Sequence, residues 1–143
     1  MARGGSDPKA PFSARLRSQT LAHLRRRADR VGEPQTALVD RYIEEGLRMD
    51  EHPLIYFRDG AAGRRPALIG TRLDVWQVIE TIRQNESSVA AAADYLGIPT
   101  SHVEACVGYY AEYQDEIDEW AAREHEEAER AEISWRRRQE IFS

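Results

Sequence analysis

The sequence predicts a mainly α-helical protein in which two small modules are followed by one long C-terminal helix. Apolar residues recur at helical spacing through most of the chain, and only two short runs between residues 54 and 72 have the pattern of a β-hairpin. No proline follows Pro99, so the last helix can run close to the C-terminus. In a chain of 143 residues neither module buries a large core alone, which favours association.

The composition limits the expected cellular location of the protein and the partners that it can bind. The single cysteine, Cys106, excludes an internal disulfide, and no apolar stretch is long enough for a signal peptide or a membrane span. We therefore expect a cytoplasmic protein without a membrane partner. The net charge is -5, but residues 1–49 carry ten Lys and Arg against six Asp and Glu, whereas residues 50–143 carry ten against nineteen. The N-terminal third is thus the better candidate for contact with a polyanion.

The first module begins after a Gly- and Pro-rich stretch, residues 1–10, which we predict to be a flexible arm. Residues 12–17, FSARLR, alternate apolar and polar side chains with the period of a strand that has one buried face. A helix capped by Ser18 and ended by Gly32 follows, and a second helix runs from about residue 35 to 48. Its inward residues are predicted to be Leu38, Val39, Tyr42, Ile43 and Leu47.

A single short strand cannot bury its apolar side in so small a module, and a free strand edge invites pairing. We predict that the strand pairs with its copy in a second chain, so that Phe12, Ala14 and Leu16 face the helices. The outer row is then Ser13, Arg15 and Arg17. Such a two-stranded ribbon fits the DNA major groove, where arginine can donate two hydrogen bonds to guanine.

Residues 11–49 resemble the ribbon-helix-helix repressors of the MetJ, Arc and CopG type in strand parity, helix spacing and the turn from Gly32 to Thr36. The resemblance implies a homodimer that binds double-stranded operator DNA, with Ser13, Arg15 and Arg17 contacting bases. It also implies a phosphate anchor at Gln35 and Thr36, although Pro34 replaces the usual hydroxyl residue. The alternative is that the arginines form an ordinary solvated strand face.

The second module, residues 53–118, is predicted to contain the hairpin, a helix capped by Asp74, and two helices of about 88–96 and 102 onward. The later one opens with Ser101 and Glu104, which have the spacing of a capping box. Ala93, Gly97 and Val103 have the spacing of a helix-turn-helix, which predicts a winged-helix-like module.

Residues 54–118 resemble the family called domain of unknown function 433. The resemblance lies in three runs, Ile69 to Leu73, Tyr95 to Ile98, and the helix from Val103 to Asp118. Proteins of this family look like bacterial antitoxins, commonly encoded beside a PIN-type ribonuclease toxin, so the resemblance implies a toxin-antitoxin role.

DNA binding by this second module is disfavoured by its charge. The helix that would enter the groove carries acidic residues that repel phosphates, namely Glu104, Glu112, Asp115 and Glu116. The remaining polar candidates for a DNA contact are Arg72, Thr100, Ser101 and His102. A structural or dimerisation role is the alternative that the sequence favours for this module.

Residues 119–143 are predicted to be a helical tail that binds a partner. Apolar residues fall along one side of the last helix, namely Tyr113, Ile117, Trp120, Ala121, Ala128, Ala131 and Trp135. Trp120 and Trp135 are candidate anchors, and one of Arg136, Arg137 and Arg138 would compete with metal in an acidic nuclease site. The alternative is that this side packs on the second module or on a second copy.

Together these features predict a dimeric antitoxin and autorepressor, with no catalytic residues, no metal site and no cofactor. No triad, phosphate-binding loop or paired carboxylates stand out. A ribbon-helix-helix regulator without a toxin is the first alternative, and a protein that uses its ribbon only to form a dimer is the second. Association of dimers into a higher oligomer is left open.

Overall fold

The computed structural model describes residues 7–143, and the first six residues of the predicted arm lie outside that part. The chain divides into two compact units, Met1–Glu51 and His52–Ser143. None of the described helices is both long and apolar enough to cross a bilayer.

The first unit contains two helices, α1 (Ser18–Val31) and α2 (Gln35–Glu51). Gly32 ends α1 in the left-handed conformation, with φ 69°, and its N–H donates to the carbonyl of Ala28. Glycine adopts this conformation without steric cost, which is why the chain turns there. The predicted cap at Ser18 is wrong, because Ser18 is the first helical residue and the cap position is Arg17, which forms no side-chain capping bond.

The strand predicted at residues 12–17 does not form within the described chain, where these residues have no regular secondary structure and are all exposed. A strand exists only where its backbone groups meet a second strand, and the described part of this unit contains no strand. The sequence predicts pairing between two chains, and that pairing stays a prediction.

The second unit begins with an antiparallel hairpin of β1 (Ile55–Gly60) and β2 (Gly63–Leu68), joined by two residues. The predicted hairpin is confirmed, and its strands reach closer to the turn than expected, with Gly60 opposite Gly63. Four helices follow, namely α3 (Val75–Gln84), α4 (Val89–Leu96), α5 (Thr100–Glu112) and α6 (Gln114–Ile141). The mainly helical class with a small hairpin and a long C-terminal helix is therefore confirmed.

Local capping explains where α3 and α4 begin. Asp74 is the N-cap of α3, as predicted, and its N–H donates to the side chain of Gln77. Ser88 caps α4 by accepting from the N–H of Ala91. Both helices are thus started by residues next to them in the sequence.

The start of α5 differs from the prediction. This helix begins at Thr100, and the cap position is Pro99, which has no side-chain capping bond. Ser101 therefore already lies inside the helix, and the capping box predicted for Ser101 and Glu104 is wrong.

The core of the second unit lies between the hairpin and the helices α3 to α6. Its buried residues are Ile55, Leu68, Val75, Val78, Ile79, Ala92, Ala93, Val103, Cys106, Tyr109 and Ile117. The last helix is not continuous as predicted, since the chain leaves the helical conformation at Tyr113, with φ -122° and ψ 39°, between α5 and α6.

Candidate functional site

The N-terminal segment leaves its apolar side chains uncovered in the single chain. Phe12 is 82% exposed and Leu16 is 48% exposed. The alternating residues Ser13, Arg15 and Arg17, predicted to contact DNA bases, are exposed as well. Apolar and polar side chains of this segment are thus both available to another molecule.

The helix α2 shows the same incomplete burial. Leu38 is fully buried, whereas Tyr42, Ile43 and Leu47 are between 41% and 54% exposed although the sequence predicts all of them inward. The single chain therefore covers only part of the apolar side of this helix.

The predicted phosphate anchor lies at the start of α2. Gln35 and Thr36 are its first two residues and both are exposed. The carbonyl of Pro34 accepts from the N–H of Leu38, the first bond of the helix. The earlier amides of a helix have no partner within it and carry the positive end of its dipole, which suits a phosphate.

In the second unit, α4 and α5 are joined by a tight turn. Gly97 takes the left-handed conformation with φ 68°, and Ala93 and Val103 are buried on either side of it. The spacing of Ala93, Gly97 and Val103 in the sequence is therefore that of two helices packed on each other across a tight turn. Thr100 and Ser101 are exposed, while His102 is half-buried.

The acidic residues named as a barrier to DNA lie mostly on the surface. Glu104, Glu112 and Asp115 are exposed, and Glu116 is half-buried, within hydrogen-bond distance of the Tyr109 hydroxyl. This surface retains the charge that repels phosphates. Arg72, the one basic candidate here, is exposed, and its carbonyl accepts from Arg58.

A cluster of charged side chains around one buried carboxylate, which the sequence did not predict, joins the hairpin to α3. Asp74 is 2% exposed. Arg58 of β1 donates to its carboxylate from Nε at 2.9 Å, and Nε of Arg65 in β2 lies 3.0 Å from the other oxygen. The indole N–H of Trp76 also donates to this carboxylate, at 3.1 Å.

Arg65 extends the cluster to the last helix. Its Nη1 donates to Glu124 of α6 at 3.0 Å. One turn away, Trp120 is only 7% exposed and lies near Gly63, and the guanidinium of Arg123 lies 4.7 Å from its ring centre. The first part of α6 is thus fixed to the hairpin.

Two further titratable groups have defined surroundings. His125 contacts Glu80 through Nε2, and this carboxylate raises the pKa of the imidazole above 6.5. Burial raises the pKa of the Cys106 thiol to about 12, so the thiol is not a nucleophile at neutral pH.

Of the residues predicted to bind a partner, one is buried within its own unit and the others are exposed. Trp120 packs within its own unit, as the alternative interpretation expects, whereas Trp135 is 59% exposed. Residues 136–138, the three arginines, are exposed too. Only the C-terminal part of the predicted partner surface is therefore open in this chain.

The second unit is defined by a hairpin, a capped helix and two helices joined by a tight turn. Residues 55–110 match the model of a family described as protein of unknown function (DUF433). This match supports the domain that the sequence predicts there. No curated protein and no solved structure matches the chain.

Proposed function

We propose that this protein is an antitoxin that binds operator DNA as a dimer and neutralises a toxin, a PIN-type ribonuclease. The observation that carries the DNA-binding part is the alternation of exposed side chains at residues 12–17. Phe12 and Leu16 are apolar and uncovered, while Ser13, Arg15 and Arg17 lie between and beside them.

Pairing of this segment with its copy would cover the apolar side chains and gather the arginines of both chains on one face. Burial of a large apolar side chain contributes about 1.5–3 kcal/mol, so the uncovered residues favour such a dimer. The exposed start of α2 would then be available for a phosphate.

The DNA-binding part is tested with the double variant Arg15→Ala/Arg17→Ala. Each lost arginine should weaken specific binding by roughly 1–3 kcal/mol, measured by fluorescence anisotropy on a promoter fragment of the protein's own gene. Arg130→Ala/Arg137→Ala removes the same charge from α6 and should bind normally. Equal affinity of both double variants would refute the proposal.

The toxin-binding part rests on the exposed end of α6, with Trp135 and the arginines 136–138. Removal of residues 126–143 keeps Trp120 and Glu124, which pack within the second unit. The shortened chain should bind DNA normally and fail to rescue growth of cells that express the toxin. Full rescue by the shortened chain would show that this end of α6 is not the toxin contact, whereas failure of the full-length chain to rescue would favour the alternative, a regulator without a toxin partner.

A further inference from the structure

The C-terminal part of α6 carries an apolar side that its own chain leaves uncovered. Residues 125–143 are all exposed. Ile117 is buried in the core, so the side of α6 that packs there continues along the helix past the last residue of the core. Steps of three and four residues place one mostly small and apolar series on this side of the helix, namely Ile117, Ala121, Glu124, Ala128, Ala131, Trp135 and Arg138.

The charge along this segment changes sign. Residues 125–132 contain four Glu and one Arg, whereas residues 133–143 contain three Arg and one Glu. Two such helices in antiparallel orientation place the acidic part of one beside the basic part of the other. Parallel helices would place like charges together.

We propose that residues 125–141 pair with the same residues of a second copy in antiparallel orientation. Trp135 of each chain then packs on the small side chain of Ala131 in the other, with the centre of the pair near residue 133. The overlap is about 25 Å long, which is short for an independent coiled coil. The pairing applies to the protein without its toxin, because Trp135 is also the proposed toxin contact and a bound toxin would replace the second copy there.

Single cysteines and a short thiol-specific cross-linker test this arrangement in the full chain. Ser134→Cys lies beside the centre and should give a covalent dimer on a denaturing gel. Ile133→Cys faces away from the second helix, and Gln139→Cys lies far from the Gln139→Cys of the other chain when the helices are antiparallel. Neither variant should therefore give a cross-linked dimer on the gel. The parent chain is the control for Cys106, which is buried.

Each other outcome overturns the proposal in a defined way. Cross-linking of both Ser134→Cys and Gln139→Cys would indicate parallel helices, and cross-linking of Ile133→Cys alone would indicate the opposite side. Absence of all three products would show that a second copy does not cover this side. Adding Trp135→Ala to the Ser134→Cys chain should remove most of the cross-linked dimer.

Discussion

Arg58 and Arg65 face each other across the hairpin and contact the same buried carboxylate, that of Asp74. Like charges at directly opposite positions destabilise a strand pair. Here the carboxylate between them offsets this repulsion, and because Asp74 also caps α3, it fixes the hairpin to that helix.

Replacement of this carboxylate should destabilise the second unit strongly. Asp74→Asn leaves two partly buried guanidinium groups beside a neutral amide, which should lower the free energy of unfolding by about 3 kcal/mol. Urea denaturation measures this loss. Asp59→Asn is the matched control, because Asp59 pairs with Arg64 at the surface and should cost less than about 1 kcal/mol. Equal losses would contradict a special role for Asp74.

The contact of His125 with Glu80 should make stability depend on pH. The pKa of His125 is raised in the folded state. The stabilisation that its contact with Glu80 gives the folded protein is therefore fully present below pH 6.5 and is lost as the pH rises through the folded-state pKa. Glu80→Gln should return the pKa of His125 towards 6.5, as followed by NMR titration. An unchanged pKa in that variant would show that Glu80 is not the cause.

Local signals made much of the fold predictable, because the turn of the hairpin and the caps at Asp74 and Ser88 are encoded by adjacent residues. The shared carboxylate of Asp74 was missed because it depends on which residues lie opposite in the hairpin. The burial of Trp120 depends likewise on the path of α6. The break at Tyr113 has no glycine or proline to mark it.

Two glycines of the second unit should respond to alanine in opposite directions. Gly97 has φ 68°, a conformation that alanine adopts only with strain. Gly97→Ala should therefore lower the free energy of unfolding by about 1–2 kcal/mol, although an added Cβ would contact no other atom. Gly108 lies within α5, and an added Cβ would again contact no other atom. Gly108→Ala should therefore raise the free energy of unfolding by about 0.5–1 kcal/mol. Thermal unfolding of both variants measures the difference, and a loss in Gly108→Ala would indicate that its surface is covered by another molecule.

The dimer proposed for the N-terminal segment should depend on its two large apolar side chains. Phe12→Ser/Leu16→Ser removes four such side chains from each dimer. At about 1.5 kcal/mol each, this loss should raise the dissociation constant roughly ten-thousandfold. Sedimentation measures this in chains that also carry Trp135→Glu, which removes the pairing proposed for α6. Tyr95→Ser, at a side chain 75% exposed in the second unit, is the control. An unchanged dissociation constant in the double variant would exclude this segment as the dimer contact.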